Sequence, residues 1–308
     1  MDKLKTYTAL IIAMILWGGS FVWAKEALQV FDVYTITFFR LLISAIVLLS
    51  YGFAVKISFK LKKEDIKWFV LLALFEPVLY FIGETNGLKT VSPTVTSVII
   101  STIPVFVLIS AYFIYNEKLK PINIAGAIIS FAGVLFIVVN KEFELDSPLS
   151  GILLVFLAVF SATGYSIVLQ KLSGKYRPMV IVAYQSSIAV PFFAVLFFVN
   201  DFNSFSKIEL HFQQFIPIIK LGILASSFAY MLFTFGIKKI GVSRAGLFSN
   251  AIPLFTAIFS YFLFDEKLEA IKYLGMFLVI FGLMMSQIDN ELYKRIAKRF
   301  KVKLLGEY

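Results

Sequence analysis

Cysteine is absent from the 308 residues, which excludes disulfides, thiolate metal sites and thiol nucleophiles and leaves the redox compartment undetermined. Histidine occurs once, as His211, so no multi-histidine metal centre can form; neither a metal nor an organic cofactor is expected. Charge is scarce as well: 16% of residues are Asp, Glu, Lys or Arg, against roughly a quarter in an average soluble domain. No Walker loop occurs, so ATP cannot drive the chain from within. What remains is apolar. Hydrophobic residues make up 59% of the sequence, and Phe alone supplies 35 side chains, a composition suited to a lipid bilayer.

A hydrocarbon core about 30 Å thick needs about 20 apolar residues at 1.5 Å per residue. Runs of that kind recur near 6–24, 34–54, 67–87, 92–114, 121–139, 149–170, 179–199, 214–236, 243–264 and 270–288. They are too long and too uniformly apolar for barrel strands, so the expected fold class is an all-α integral membrane protein of about ten transmembrane helices. Lys3 and Lys5 before an apolar run ending at Val22-Trp23-Ala24 have the layout of a signal peptide. The equally apolar segments that follow argue for a retained first span. The Asn116–Pro121 stretch reads as the turn of an antiparallel hairpin between the fourth and fifth spans.

The net charge of +10 does not point to nucleic acid, because the basic residues lie between apolar runs and at the C-terminal end. With the N-terminus inside, the inner face holds about 21 Lys and Arg against 6 on the other side. This predicts both termini cytoplasmic in a bacterial-type plasma (inner) membrane. The segment Tyr293–Lys303 reads as a basic amphipathic stretch lying on anionic lipid headgroups.

Comparing the chain with itself reveals a repeat. Residues 87–137 align without gaps to 236–286, with about 14 identities in about 51 positions. Tyr112–Leu119, YFIYNEKL, meets Tyr261–Leu268, YFLFDEKL; Pro104 and Phe106 meet Pro253 and Phe255; Gly126 and Gly133 meet Gly275 and Gly282. The repeat predicts five-helix units over 1–142 and 143–289, followed by a basic tail at 290–308. An odd number of spans per unit requires the second unit to enter the membrane inverted.

These paired signatures, with Trp17-Gly18-Gly19-Ser20-Phe21 in the first span and Phe39-Arg40 in the second, closely resemble the EamA-type family of the drug/metabolite transporter superfamily. The resemblance covers nearly the whole chain. It implies ten helices in two inverted halves and export of amino acids or other small metabolites.

The residues expected to line a substrate or proton pathway are few. Glu76, Tyr80 and Glu84 step by four along the third span, and Asn86 follows in the same polar stretch. A carboxylate at that depth costs several kcal/mol unless it faces protein, water or a partner, which makes Glu76 a candidate proton carrier. Under the repeat alignment its counterpart is Ala225 and that of Glu84 is Phe233, so only one half carries acid there. Arg40 is expected at a depth similar to that of Glu84 and to pair with it, or to hold a substrate carboxylate. Trp17 and Ser20, and from the second half Tyr165, Tyr230 and Asn250, complete the candidates. Pro77, Pro104 and Pro253 are expected to kink their helices and to serve as gating elements or as static bends.

The function that fits is a secondary transporter. It would export an amino acid or similar small polar or amphipathic solute by alternating access, with proton coupling at Glu76 or Glu84. An integral-membrane lipid-modifying enzyme would need a metal-binding acidic pair, a nucleophile dyad or clustered histidines, and none is evident; no catalytic residue is expected. A passive channel stays open as an alternative, and so does a homodimer.

Overall fold

The computed structural model describes residues 2–115, 121–139 and 145–286. The expected basic tail and the turn at 116–120 lie outside them. Among the described residues the chain is helical, apart from an isolated bridge between Val139 and Leu145. The helices are α1 (Asp2–Ala27), α2 (Val33–Ala54), α3 (Lys63–Gly87), α4 (Pro93–Ile100 continuing as Ile103–Tyr115), α5 (Pro121–Val138), α6 (Leu149–Ser173), α7 (Pro178–Phe205), α8 (Phe212–Ile240), α9 (Arg244–Phe264) and α10 (Ala270–Ser286). Nine of these described spans are long and apolar enough to cross a membrane; α10, with 17 residues, is shorter. In lipid, every backbone N–H and C=O must be satisfied within the chain, and helices of these apolar residues do so. Their ends follow local chemistry. Pro93 and Pro178 stand in the first turn of their helices, Ser92 accepts a hydrogen bond from the Val95 N–H, and Gly241 ends α8 at φ +83°.

The observed α7 and α8 run several residues beyond the expected 179–199 and 214–236. Polar groups such as Asn200 and Asp201 continue a helix without extending the apolar run.

Packing ties the two halves together. α1 lies on α8 and α9, and its counterpart α6 lies on α3 and α4; α2 packs on α7, and α5 on α10. The α5–α10 crossing shows the inversion directly. A methyl group built on Gly133 would lie 2.6 Å from the Gly275 carbonyl oxygen, and one on Gly275 2.7 Å from that of Gly133. Gly126 and Gly282 meet in the same reciprocal way. As residue numbers rise along α5 they fall along α10, so the two equivalent helices are antiparallel. Each contact maps onto its partner when the repeats are exchanged, as an isologous two-fold interface requires. The expected hairpin between α4 and α5 is not the main packing of α5, because small residues let its backbone approach α10 far more closely. Gly133→Val should therefore lower stability by about 1–3 kcal/mol through overpacking. Gly174→Ala, at a position with open space around it, is the control. Thermal unfolding of the detergent-solubilised protein should separate the two, and equal midpoints would contradict this crossing.

Loop contacts sort into two faces. On one, Lys175 pairs with Asp65 at 2.7 Å, the Lys62 N–H donates to the Tyr176 hydroxyl, and Tyr184 donates to the Phe59 carbonyl. On the other, Lys89 faces Asp32 at 3.8 Å, Thr94 donates to Glu266 at 2.8 Å and Lys272 pairs with Asp146.

Candidate functional site

The third helix brings acid into the bundle because it is not one straight helix. Residues 74–79 form a wide turn in which Glu76 takes φ −145°, ψ 116°, with helical residues on either side. Pro77, which has no N–H to donate, sits next to this interruption. The other half is irregular at the equivalent place: Leu221–Ala229 of α8 is again a wide turn. α4 and α9 also match. Each is interrupted just before its proline, at Ser101–Thr102 ahead of Pro104 and at Leu247–Ala251 ahead of Pro253. Both prolines occupy the second position of the helix that follows, where a missing N–H leaves no bond unmade.

Glu76 is 6% exposed and accepts a hydrogen bond from the Tyr230 hydroxyl of α8. Arg40 and Glu84 are each 2% exposed, with Nη1 and Oε2 4.0 Å apart. That distance is an ion pair but too long for a hydrogen bond. The guanidinium lies 4.0 Å from the centre of the Phe81 ring, and its Nε donates to Ser226 Oγ at 3.0 Å. Arg40 Nη1 has no hydrogen bond. Glu84 accepts instead from the Thr85 hydroxyl at 2.9 Å. Besides Glu84, the carboxyl of Glu76 and the hydroxyls of Tyr80 and Tyr230 lie within electrostatic reach of Arg40, so groups of the third and eighth helices surround one cation.

Ser226 reaches Arg40 because α8 comes close to α2. A Cβ on Gly222 would lie 3.0 Å from the Arg40 carbonyl oxygen and 2.8 Å from Ile43 Cβ, and Ser226 is one turn further on the same face. Hydroxyls knit α2, α7 and α8 at this level. Ser44 lies 3.1 Å from Ser186 Oγ and donates to the Ser226 carbonyl at 3.1 Å, and Ser227 lies 3.0 Å from Ser44. Rings gather around Tyr230, the partner of Glu76. Trp17 is edge-on to Tyr230 with centroids 5.1 Å apart and lies 4.9 Å from Phe233, and Tyr165 is edge-on to Tyr230 at 6.4 Å. The Tyr165 hydroxyl donates to Gln185 at 3.3 Å.

Of the residues singled out in the sequence, Glu76, Tyr80, Glu84, Arg40, Trp17, Tyr165 and Tyr230 thus come together between α1, α2, α3, α6 and α8. Three do not join them. Ser20 donates to the Trp17 carbonyl and Asn86 to the Ile82 carbonyl, each within its own helix. Asn250 sits at the interruption of α9, buried, its Oδ1 without a hydrogen bond. Sequence reasoning did not single out Phe81, Ser44, Ser186 or Gln185. Two of these were within reach of helical spacing: Ser44 is one turn from Arg40, and Phe81 lies three residues before Glu84.

Two inverted five-helix units that bury two carboxylates, an arginine and several tyrosines among their spans define a multi-pass membrane protein with a polar centre. The chain belongs to the EamA-like transporter family, whose model matches residues 4–139 and again 149–287. An Archaeoglobus fulgidus protein named as an uncharacterized transporter is 25% identical over 284 residues, covering 92% of this chain and 97% of its own. The Bacillus subtilis uncharacterized transporter YcxC is 26% identical, covering 92% and 93%. A solved crystal structure has the same fold, with a TM-score of 0.71 at 16% identity over 94% of this chain and 98% of its own. The protein is a membrane transporter.

Proposed function

We propose that the protein is a secondary transporter that exports a small polar or amphipathic solute of amino-acid size by alternating access, coupled to protons through Glu76 or Glu84. The observation that carries this reading is the placement of charge. Glu76, Glu84 and Arg40 are buried where the two halves meet, and two of the three have Ala225 and Phe233 as their counterparts. Architecture alone would place equivalent groups in both units. Glu84 is matched by Arg40, whereas Glu76 has a tyrosine for a partner, so Glu76 is the better proton carrier of the two.

Equivalent elements also differ in their burial. Pro93–Ile100 of α4 is buried on every side, while in the counterpart at the start of α9 Arg244 is exposed and Val242, Gly246, Phe248 and Ser249 are half-buried. In an inverted repeat that inequality supports a state closed at one face and looser at the other; exchanging the two packings would open the opposite side. Counterflow in proteoliposomes tests the reading. A saturable exchange of labelled for unlabelled solute is expected, and flux linear in concentration with no counterflow would make the protein a channel.

Lys60, Lys62, Lys63, Lys175, Arg177, Lys238 and Lys239 belong to the face held by the Lys175–Asp65 pair, which supports that face as cytoplasmic. Because the sequence has no cysteine, an introduced one is unique. In intact cells an impermeant maleimide should label Glu209→Cys, at a side chain 90% exposed, and leave Gly174→Cys unlabelled. The reverse pattern would invert the orientation.

A further inference from the structure

The charges at the centre do not balance. Arg40 faces Glu84 at 4.0 Å, rests on Phe81 and donates through Nε to Ser226, its Nη1 making no hydrogen bond. Among the described residues no Lys or Arg lies within ion-pair distance of Glu76, whose bonded partner is the Tyr230 hydroxyl. Two ionised carboxylates against one guanidinium leave one negative charge in a region shut off from water. Such a charge costs several kcal/mol unless a proton or another cation compensates it. Beside that carboxylate stands the Tyr230 ring, which touches both Trp17 and Tyr165, with Phe233 against Trp17. Aromatic faces attract ammonium groups, most strongly where both are desolvated.

We propose that the substrate class of this site is an organic monocation: an amine with one ammonium group on an apolar body, its ammonium at the Glu76 carboxylate and its body among Trp17, Tyr165 and Phe233. The proposal deepens the transport reading and rests on it for passage of the solute, though not for its binding. A carboxylate on the solute is not needed. It would approach an arginine that already has Glu84 4.0 Å away, and it would restore the excess negative charge that the ammonium removes. Binding is then an exchange. The neutral Glu76 acid gives its proton to solvent as the ammonium arrives, so one O–H bond breaks, an ion pair replaces it and charge is conserved. The titratable and charged groups around Glu76 are Tyr80 and Glu84 on its own helix, Arg40 on α2, Tyr165 on α6 and Tyr230 on α8.

A matched series tests this on the full chain in detergent: phenylethylammonium, phenylalanine, phenylethanol and phenylpropionate, which share a ring and differ in charge. Binding is followed by calorimetry and proton release by an indicator dye in weak buffer. The ammonium compound should bind with release of a proton, and the other three at least about tenfold more weakly, equivalent to 1.4 kcal/mol or more. Glu76→Gln should weaken ammonium binding by about tenfold or more and abolish proton release. Trp17→Leu, which keeps an apolar side chain but removes the ring, should weaken binding of the ammonium by more than it weakens that of phenylethanol; it serves if the Glu76 variant fails to fold. Preference for phenylalanine, ammonium binding that ignores both substitutions, or binding of none of the four would overturn the proposal. If phenylethylammonium binds as described but shows no counterflow, the transport reading fails and the substrate class stands. Counterflow of another solute that is indifferent to Glu76 would have the opposite meaning.

Discussion

Replacing Arg40 by Ala should destabilise the protein by about 3–5 kcal/mol, the effect expected when one member of a buried ion pair is removed. Both side chains of the Arg40–Glu84 pair are 2% exposed, so solvent screening offers little relief. The substitution strands Glu84 with only the Thr85 hydroxyl, uncovers the Phe81 ring and deprives Ser226 of its donor. Arg40→Lys should recover only part of the loss. Its ammonium can compensate Glu84 but cannot lie flat on Phe81 while donating to Ser226. Arg40→Met combined with Glu84→Gln removes both charges at similar volume and should come within about 1–2 kcal/mol of the wild type, because the desolvation of two ions disappears with their attraction. Thermal unfolding in detergent, compared across the four proteins, is the measurement. A midpoint for Arg40→Ala equal to that of the wild type would mean that the guanidinium turns out of the bundle and that the pair is not formed.

Much of this architecture was legible in the sequence, because a bilayer limits what a chain can do. Apolar runs of about 20 residues become helices, and the aligned glycines and prolines of the two halves reappear as equivalent crossings and equivalent interruptions. Depth and spacing sufficed to mark Glu76, Glu84 and Arg40 and to pair the last two. What spacing could not supply was the partner across the bundle. Ser226, Tyr230 and Thr234 step by four along α8, so one face of that helix could be read as polar. That this face meets Glu76 at Tyr230 and Arg40 at Ser226 depends on Gly222 letting α8 approach α2, a tertiary fact. For the same reason spacing could not show that Ser20 and Asn86 each donate to a carbonyl about one turn back in their own helices. The preference of α5 for α10 over its sequence neighbour α4 was likewise invisible until the crossing glycines were seen to meet.

The functional counterpart is Glu76→Gln, whose effect on coupling should be the largest of any conservative change. Gln has nearly the same shape and can still accept from the Tyr230 hydroxyl, so the wide turn at 74–79 and the packing of α3 on α6 should persist. What it cannot do is gain and lose a proton. In proteoliposomes with an imposed pH gradient, the wild type should accumulate solute and the variant should not, its flux becoming flat in pH. Exchange should still be measurable at solute concentrations raised by roughly ten- to a hundredfold, since a hydrogen bond to a charged group contributes about 1.5–3 kcal/mol. Glu84→Gln separates coupling from architecture. It leaves Arg40 uncompensated and should lower stability, yet keep a pH-dependent flux, because the carboxylate without a cationic partner is still present. Should Glu76→Gln and Glu84→Gln both retain wild-type accumulation and pH dependence, protons do not pass through this pair, and any coupling must reside elsewhere in the bundle.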